Sequence, residues 1–174
     1  MTKLRSLFAA ALLSVIALGA LIVAPAAASA APGPLPDPGS KVNFRIYNTN
    51  TGRCLSATPS SIFTLVSCGD NNAVWVVYGY RDDPTFQVGN LGQANICLGV
   101  DPIGGSAGAI SCSDEFNARW YFDQLSGNAW QLRSRHAEYF GWGDQCLMDQ
   151  PEGYLKLGSC RDGGVRTMWS LVYA

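Results

Sequence analysis

Val42, Phe44 and Ile46 alternate with Asn43, Arg45 and Tyr47, the period-two pattern of a strand buried on one face, and residues 48–52 follow as a turn. Short runs of the same kind recur at 63–67, 74–78, 85–88, 109–112, 120–122, 130–132, 154–157 and 168–173, separated by Gly, Pro, Asn, Asp and Ser. After residue 30 no segment sustains a capped helical period for three turns. The pattern predicts an all-β protein of many short strands.

The strands are organised by a repeat. Cys54-Leu55 leads to Cys68 and Trp75, Cys97-Leu98 to Cys112 and Trp120, and Cys146-Leu147 to Cys160 and Trp169. Phe44, Phe86 and Trp130 open the three units in the same phase. Four landmarks recurring in order at about 45 residues define a repeat architecture, with about four strands in each unit. Three units are too few for a propeller, which needs about four blades, so three lobes closed around a pseudo-threefold axis, a β-trefoil, are expected. Six cysteines allow 15 connectivities. Only Cys54–Cys68, Cys97–Cys112 and Cys146–Cys160 respect the repeat, with separations of 14, 15 and 14 residues. Each bridge is worth about 3 kcal/mol in the chain-entropy model. A zinc site is the competing use of the cysteines, but there is no C-x-x-C pair and His136 is the sole histidine.

The first thirty residues change the setting. Lys3 and Arg5 precede an uncharged run from Leu7 to Val23 that ends in Ala28-Ser29-Ala30, the pattern of a signal peptide cleaved after Ala30. An uncleaved membrane anchor is the rival reading of that run, and no second apolar segment supports it. Residues 31–40, rich in Pro and Gly, are expected to be a flexible leader before a domain spanning 41–174. Loss of Lys3 and Arg5 leaves ten basic residues against thirteen acidic ones, which argues against nucleic acid or an anionic membrane as partner. Export makes disulfides the natural state of the cysteines, and a secreted monomer without membrane insertion is expected.

The repeat, with Asn48-Thr49-Asn50-Thr51-Gly52-Arg53-Cys54-Leu55 in the first unit, Cys-Leu openings in the others and a tryptophan after each second cysteine, resembles the ricin B-type β-trefoil lectins. These are also grouped as a carbohydrate-binding module of glycoside hydrolases. The resemblance covers residues 42–174 and implies a sugar-binding domain. In that family an aspartate follows Cys-Leu, an aromatic in the next loop stacks on the sugar, and the Gln of a Q-x-W motif supports the aspartate. Here Ser56, Gly99 and Met148 follow Cys-Leu, and Ala73, Ala118 and Thr167 stand in the Gln place.

Sugar recognition needs a carboxylate or amide for vicinal hydroxyls and an aromatic face for the C–H side of the ring. The third unit offers Asp149 and Tyr154; as alternatives, Asp149 is a solvated loop acid and Tyr154 a packed edge residue. The second unit offers Asp101 and Asn117, but its 104–108 loop carries no aromatic. The first unit, with no acid after Cys-Leu, is expected to be structural. Trp75, Trp120, Trp169 and Trp130 are expected in the core. Extra residues in the third unit, 136–144, carry Tyr139, Phe140 and Trp142, a candidate partner-binding patch or a flap folded over the trefoil base. Catalysis is not expected: Asp82-Asp83 and Asp114-Glu115 are sequence neighbours that would point to opposite faces of a strand, and every cysteine is committed to a bridge. No cofactor or metal is expected. The reading is a secreted, non-catalytic glycan-binding domain; the alternative is a protein-binding trefoil, such as a toxin delivery subunit or a protease inhibitor.

Overall fold

A computed structural model describes residues 35–58, 63–101, 105–113 and 116–174. The expected signal peptide, the first part of the leader, Gly104 and the Asp114-Glu115 pair lie outside the described residues. Among those described, twelve strands fall four to a repeat. The first repeat holds Lys41–Asn48 (β1), Cys54–Ala57 (β2), Phe63–Val66 (β3) and Trp75–Gly79 (β4). The second holds Phe86–Asn90 (β5), Ile96–Val100 (β6), Ala107–Ser111 (β7) and Arg119–Ser126 (β8). The third holds Ala129–Ser134 (β9), Gln145–Asp149 (β10), Leu155–Ser159 (β11) and Trp169–Tyr173 (β12), with a short helix Arg135–Tyr139 (α1) between its first two strands.

Six strands close a barrel, each antiparallel to the next: β1 pairs β4, β4 pairs β5, β5 pairs β8, β8 pairs β9, β9 pairs β12, and β12 returns to β1. The other six form three hairpins, β2–β3, β6–β7 and β10–β11. Each hairpin is attached to its barrel strand at the first cysteine, through Tyr47↔Cys54, Gly89↔Cys97 and Arg133↔Cys146. This is the β-trefoil.

The sequence landmarks are its registration marks. Phe44 faces Trp75, Phe86 faces Trp120 and Trp130 faces Trp169 across barrel strands. The three repeat tryptophans are fully buried, each worth about 2–3 kcal/mol of apolar burial. Their indole N–H groups donate to Leu55, Leu98 and Leu147 carbonyls at 2.8, 2.9 and 3.0 Å. The bridges Cys54–Cys68, Cys97–Cys112 and Cys146–Cys160 all form.

Two elements differ from the pattern read along the chain. The Cys-Leu segments are themselves strands; they are buried on both faces and so show no alternation to read. Within the stretch expected as a free leader, residues 35–40 are docked: Pro38 bridges to Gly79, Gly39 N–H donates to the Gly79 carbonyl at 2.7 Å, and Leu35 packs on the core. Proline lacks an N–H, but its neighbours supply the bonds that dock the segment.

Replacing Trp120 with Phe removes the donor to the Leu98 carbonyl and leaves a buried acceptor unpaired. The expected loss is about 1–3 kcal/mol in chemical denaturation, and a loss no larger than measurement error would contradict a structural role for the indole N–H.

Candidate functional site

The first strand of each repeat ends on a buried polar residue opposite the tryptophan: Asn48 faces Trp169, Asn90 faces Trp75 and Ser134 faces Trp120. Each shapes the turn that follows. Asn48 Oδ1 accepts from the N–H groups of Asn50 and Thr51, Asn90 Oδ1 from Gly92, and Ser134 Oγ from Ala137 as the N-cap of α1. Every such turn leans on the hairpin of the preceding repeat. Gln93 Nε2 donates to the Ala57 carbonyl, and Asn50 Nδ2 reaches Asp149 Oδ2 at 3.4 Å. A Cβ placed on Gly105 would meet Trp142 at 3.5 Å. Each hairpin therefore meets residues of the repeat that follows, so a site at its end is built from two repeats, not one.

The third-lobe cleft has a volume of about 280 Å³ and is lined by Asn50, Thr51 and Arg53 from the first repeat and by Asp149, Gln150 and Arg166 from the third, among others. Asp149 is not a solvated loop acid. Strand registers place it where the other lobes have Ala57 and Val100, and it is 2% exposed. Arg166 holds its backbone carbonyl through Nε and Nη2 at 3.0 and 2.6 Å, with Nε 3.8 Å from Oδ1. Arg53 is exposed at the rim, its guanidinium without a hydrogen-bond or ion-pair partner among the described residues. The arrangement offers one fixed carboxylate among several N–H donors, suited to gripping hydroxyl groups. Tyr154 is 48% exposed and lies outside the cleft lining; its backbone bridges to Thr64 and accepts from the Gln150 N–H. Asp149 and Tyr154 are therefore not brought together around one cleft.

In the second lobe the Val100 N–H donates to the Asn117 carbonyl at 3.1 Å, which sets Asn117 beside exposed Asp101. The aromatic that this lobe's own loop lacks comes from the third repeat, as Trp142. The extra residues fold as α1 and a turn around buried His136, whose ring lies 4.5 Å from Phe140 and 5.2 Å from Trp142. Phe116, next to Asn117, stacks edge-on with Tyr139 at 4.6 Å. Tyr139, Phe140 and Trp142 remain 66%, 54% and 41% exposed. The insertion is packed on its inner side and open on its outer one. The small residues in the Q-x-W place, Ala73, Ala118 and Thr167, are fully buried and support the barrel wall.

Charged side chains brace the insertion from below. Arg133 stacks on Tyr121 at 4.1 Å and pairs with Asp123 at 2.7 Å, and the Asp123 hydrogen bond raises its pKa further, so it stays charged. Burial, and then hydrogen bonding to Glu138, pushes the Tyr121 hydroxyl above the ordinary tyrosine value. Among the described residues no group of His, Cys, Asp and Glu could hold a metal ion, and no helix is long and apolar enough to cross a membrane.

No protein-family model matches the sequence, and no curated relative matches it. Solved structures do match. A designed threefold-symmetric protein, ThreeFoil, aligns with a TM-score of 0.63 at 18% identity over 76% of this chain and 99% of its own. The exo-β-1,3-galactanase 1,3Gal43A from Clostridium thermocellum aligns at 0.63 and 16% identity over 81% of this chain and 31% of its own. A mosquitocidal holotoxin aligns at 0.65 and 10% identity over 78% of this chain and 17% of its own. At these identities the likeness is one of fold: the chain is a β-trefoil and spans only part of the two larger proteins.

A tyrosine whose folded pKa is raised stabilises the fold below its unfolded pKa of about 10 and loses that contribution as pH rises through the folded value. The melting temperature should therefore fall less steeply above about pH 10 in Tyr121→Phe than in the parent protein. Parallel alkaline profiles would remove Tyr121 from the balance.

Proposed function

We propose that the chain is a secreted, non-catalytic carbohydrate-binding domain whose principal site is the Asp149 cleft, with the Asp101–Asn117 surface beside Trp142 as a second. The observation that carries this reading is the buried Asp149 carboxylate at the wall of an open cleft. A buried acid costs stability unless it is held, and its two sister positions are apolar. Asn50 and Arg166 hold it, and Arg53 adds donors at the rim, a set complementary to vicinal sugar hydroxyls. The galactanase among the similar structures fits this reading, and the three disulfides fit an oxidising, extracellular setting. Two weak sites on separate lobes would gain from clustered glycans.

A second reading has its own observation. Tyr139, Phe140 and Trp142 form an exposed aromatic surface suited to a protein partner, and a toxin is among the similar structures. The two readings part on one set of variants. Ala57 fills the Asp149 position in the first lobe, so Asp149→Ala should fold with its melting temperature nearly unchanged while glycan binding on an array falls at least about tenfold. Binding that survives Asp149→Ala and Arg53→Ala together would sink the principal site. A combined Tyr139→Ser and Phe140→Ser variant should keep glycan binding through Asp149; if it instead loses a protein ligand while the parent protein binds no glycan on the array, the protein-binding reading stands.

A further inference from the structure

One departure from threefold symmetry on the barrel wall is a missing side chain. At the strand position paired with the first cysteine of each repeat stand Tyr47, Gly89 and Arg133. Arg133 covers its part of the wall by stacking on Tyr121. Gly89 has nothing to cover its own, and its strand partner Val76 is small where the partner of Arg133 is Tyr121. The result is an open cavity of about 530 Å³ over the Cys97–Cys112 bridge, inside the size range of small-ligand sites, roughly 300–1,000 Å³. The backbone does not require glycine there: Gly89 has no positive φ, and a Cβ would sit 3.6 Å from Cys97 Sγ, an ordinary contact. The gap is a property of the side chains alone.

The polar groups around the gap are partly used, and what is left over has a definite chemistry. Gln87 Nε2 donates to the Cys112 carbonyl, the same bond Gln131 makes to Cys160, so that amide nitrogen is structural. Asn95, in a left-handed turn conformation, is pinned by Cys112 N–H donating to its carbonyl and by its own Nδ2 donating to Ser111 Oγ. Gln87 Oε1 and Asn95 Oδ1 are left as acceptors without partners among the described residues. Lys41 Nζ, 5.7 Å from the Tyr78 ring centroid, is left as a donor. Tyr78 and Asn90 also line the cavity, the Asn90 amide being spent on the Asn72 carbonyl and the Gly92 N–H, while Val76, Ile96 and the bridge sulfurs supply apolar wall.

We propose that this cavity is a further saccharide site, on the barrel wall between the first and second repeats and independent of both the Asp149 cleft and the Asp101–Asn117 surface. Hydroxyl groups both donate and accept, so a sugar edge satisfies the two amide oxygens and Lys41 at once, while its C–H face meets Val76 and Ile96. A carboxylate or phosphate would satisfy Lys41 but would set anionic oxygen against two amide oxygens. A purely apolar ligand would leave all three polar groups unpaired. A polyhydroxylated ring is the class that fits.

The test follows the backbone N–H signals of Gly89 and Asn95 by NMR during titration of the protein with D-galactose, D-glucose and N-acetyl-D-glucosamine, and separately with sodium acetate. At least one sugar should move both signals saturably, with acetate leaving them in place. Gly89→Tyr, which restores the residue of the first repeat, should keep the melting temperature and weaken the response at Asn95 at least about tenfold. Asp149→Ala should leave that response unchanged, which separates this site from the principal one. The proposal is overturned if none of the three sugars moves these signals, if acetate moves them and sugars do not, or if a folded Gly89→Tyr protein binds as well as the parent.

Discussion

The contact on which the rest of the molecule depends is the indole N–H of the repeat tryptophan donating to the carbonyl of the leucine after the first cysteine. The strand ladder joins barrel and hairpin at a single residue pair in each repeat, the one at the cysteine. The tryptophan is anchored in the barrel by its opening aromatic and by apolar burial, so its polar end can reach out of the barrel layer and fix the next layer at 2.8–3.0 Å. An indole suits this task because a single side chain supplies both a large apolar body and one directional donor. The disulfide then closes each hairpin onto the segment leading into the tryptophan strand, so a covalent tie and a hydrogen bond act on the same strand from two directions.

These landmarks explain why the fold was legible in the chain. Cysteine, leucine, tryptophan and the opening aromatic are fixed by packing at equivalent points, and a repeat read three times averages out local ambiguity. The site was harder to read. Asp149 looks like a loop acid because it follows Met148, half-exposed, and precedes Gln150-Pro151, yet its strand register puts it at an apolar position. Tyr154 follows Asp149 closely in sequence but bridges to the first repeat instead of facing the acid. Both depend on contacts across repeats, as does the partnership of Asn50 with Asp149 and of Trp142 with the second lobe. α1 is a single turn and a half capped by Ser134, too short to leave a periodic signal.

Symmetry also sorts the side chains by purpose. Where equivalent positions agree, in all three repeats at the tryptophans and in two at Gln87 and Gln131 beneath the second cysteines, the residues hold the scaffold. The exceptions are informative: Asp149 among Ala57 and Val100, Gly89 among Tyr47 and Arg133, and an aromatic helix where the sister turns are short and polar. The exceptions sit on turns, hairpin ends and the outer wall, while each lobe keeps its own bridge and its own tryptophan in the shared core.

The pairing of β12 with β1 closes the ring, and it places Tyr173 opposite Phe44, so the two ends of the domain leave the barrel side by side. Tension applied to both ends acts on that seam as on a zipper, breaking its hydrogen bonds one after another rather than all at once. No disulfide crosses the seam. The seam joins the first and third repeats, the same two that share the Asp149 cleft, so opening it loads the contact between Asn50 and Asp149. Mechanical load and ligand would then compete for one joint, and a bound ligand bridging that cleft would act as a clasp.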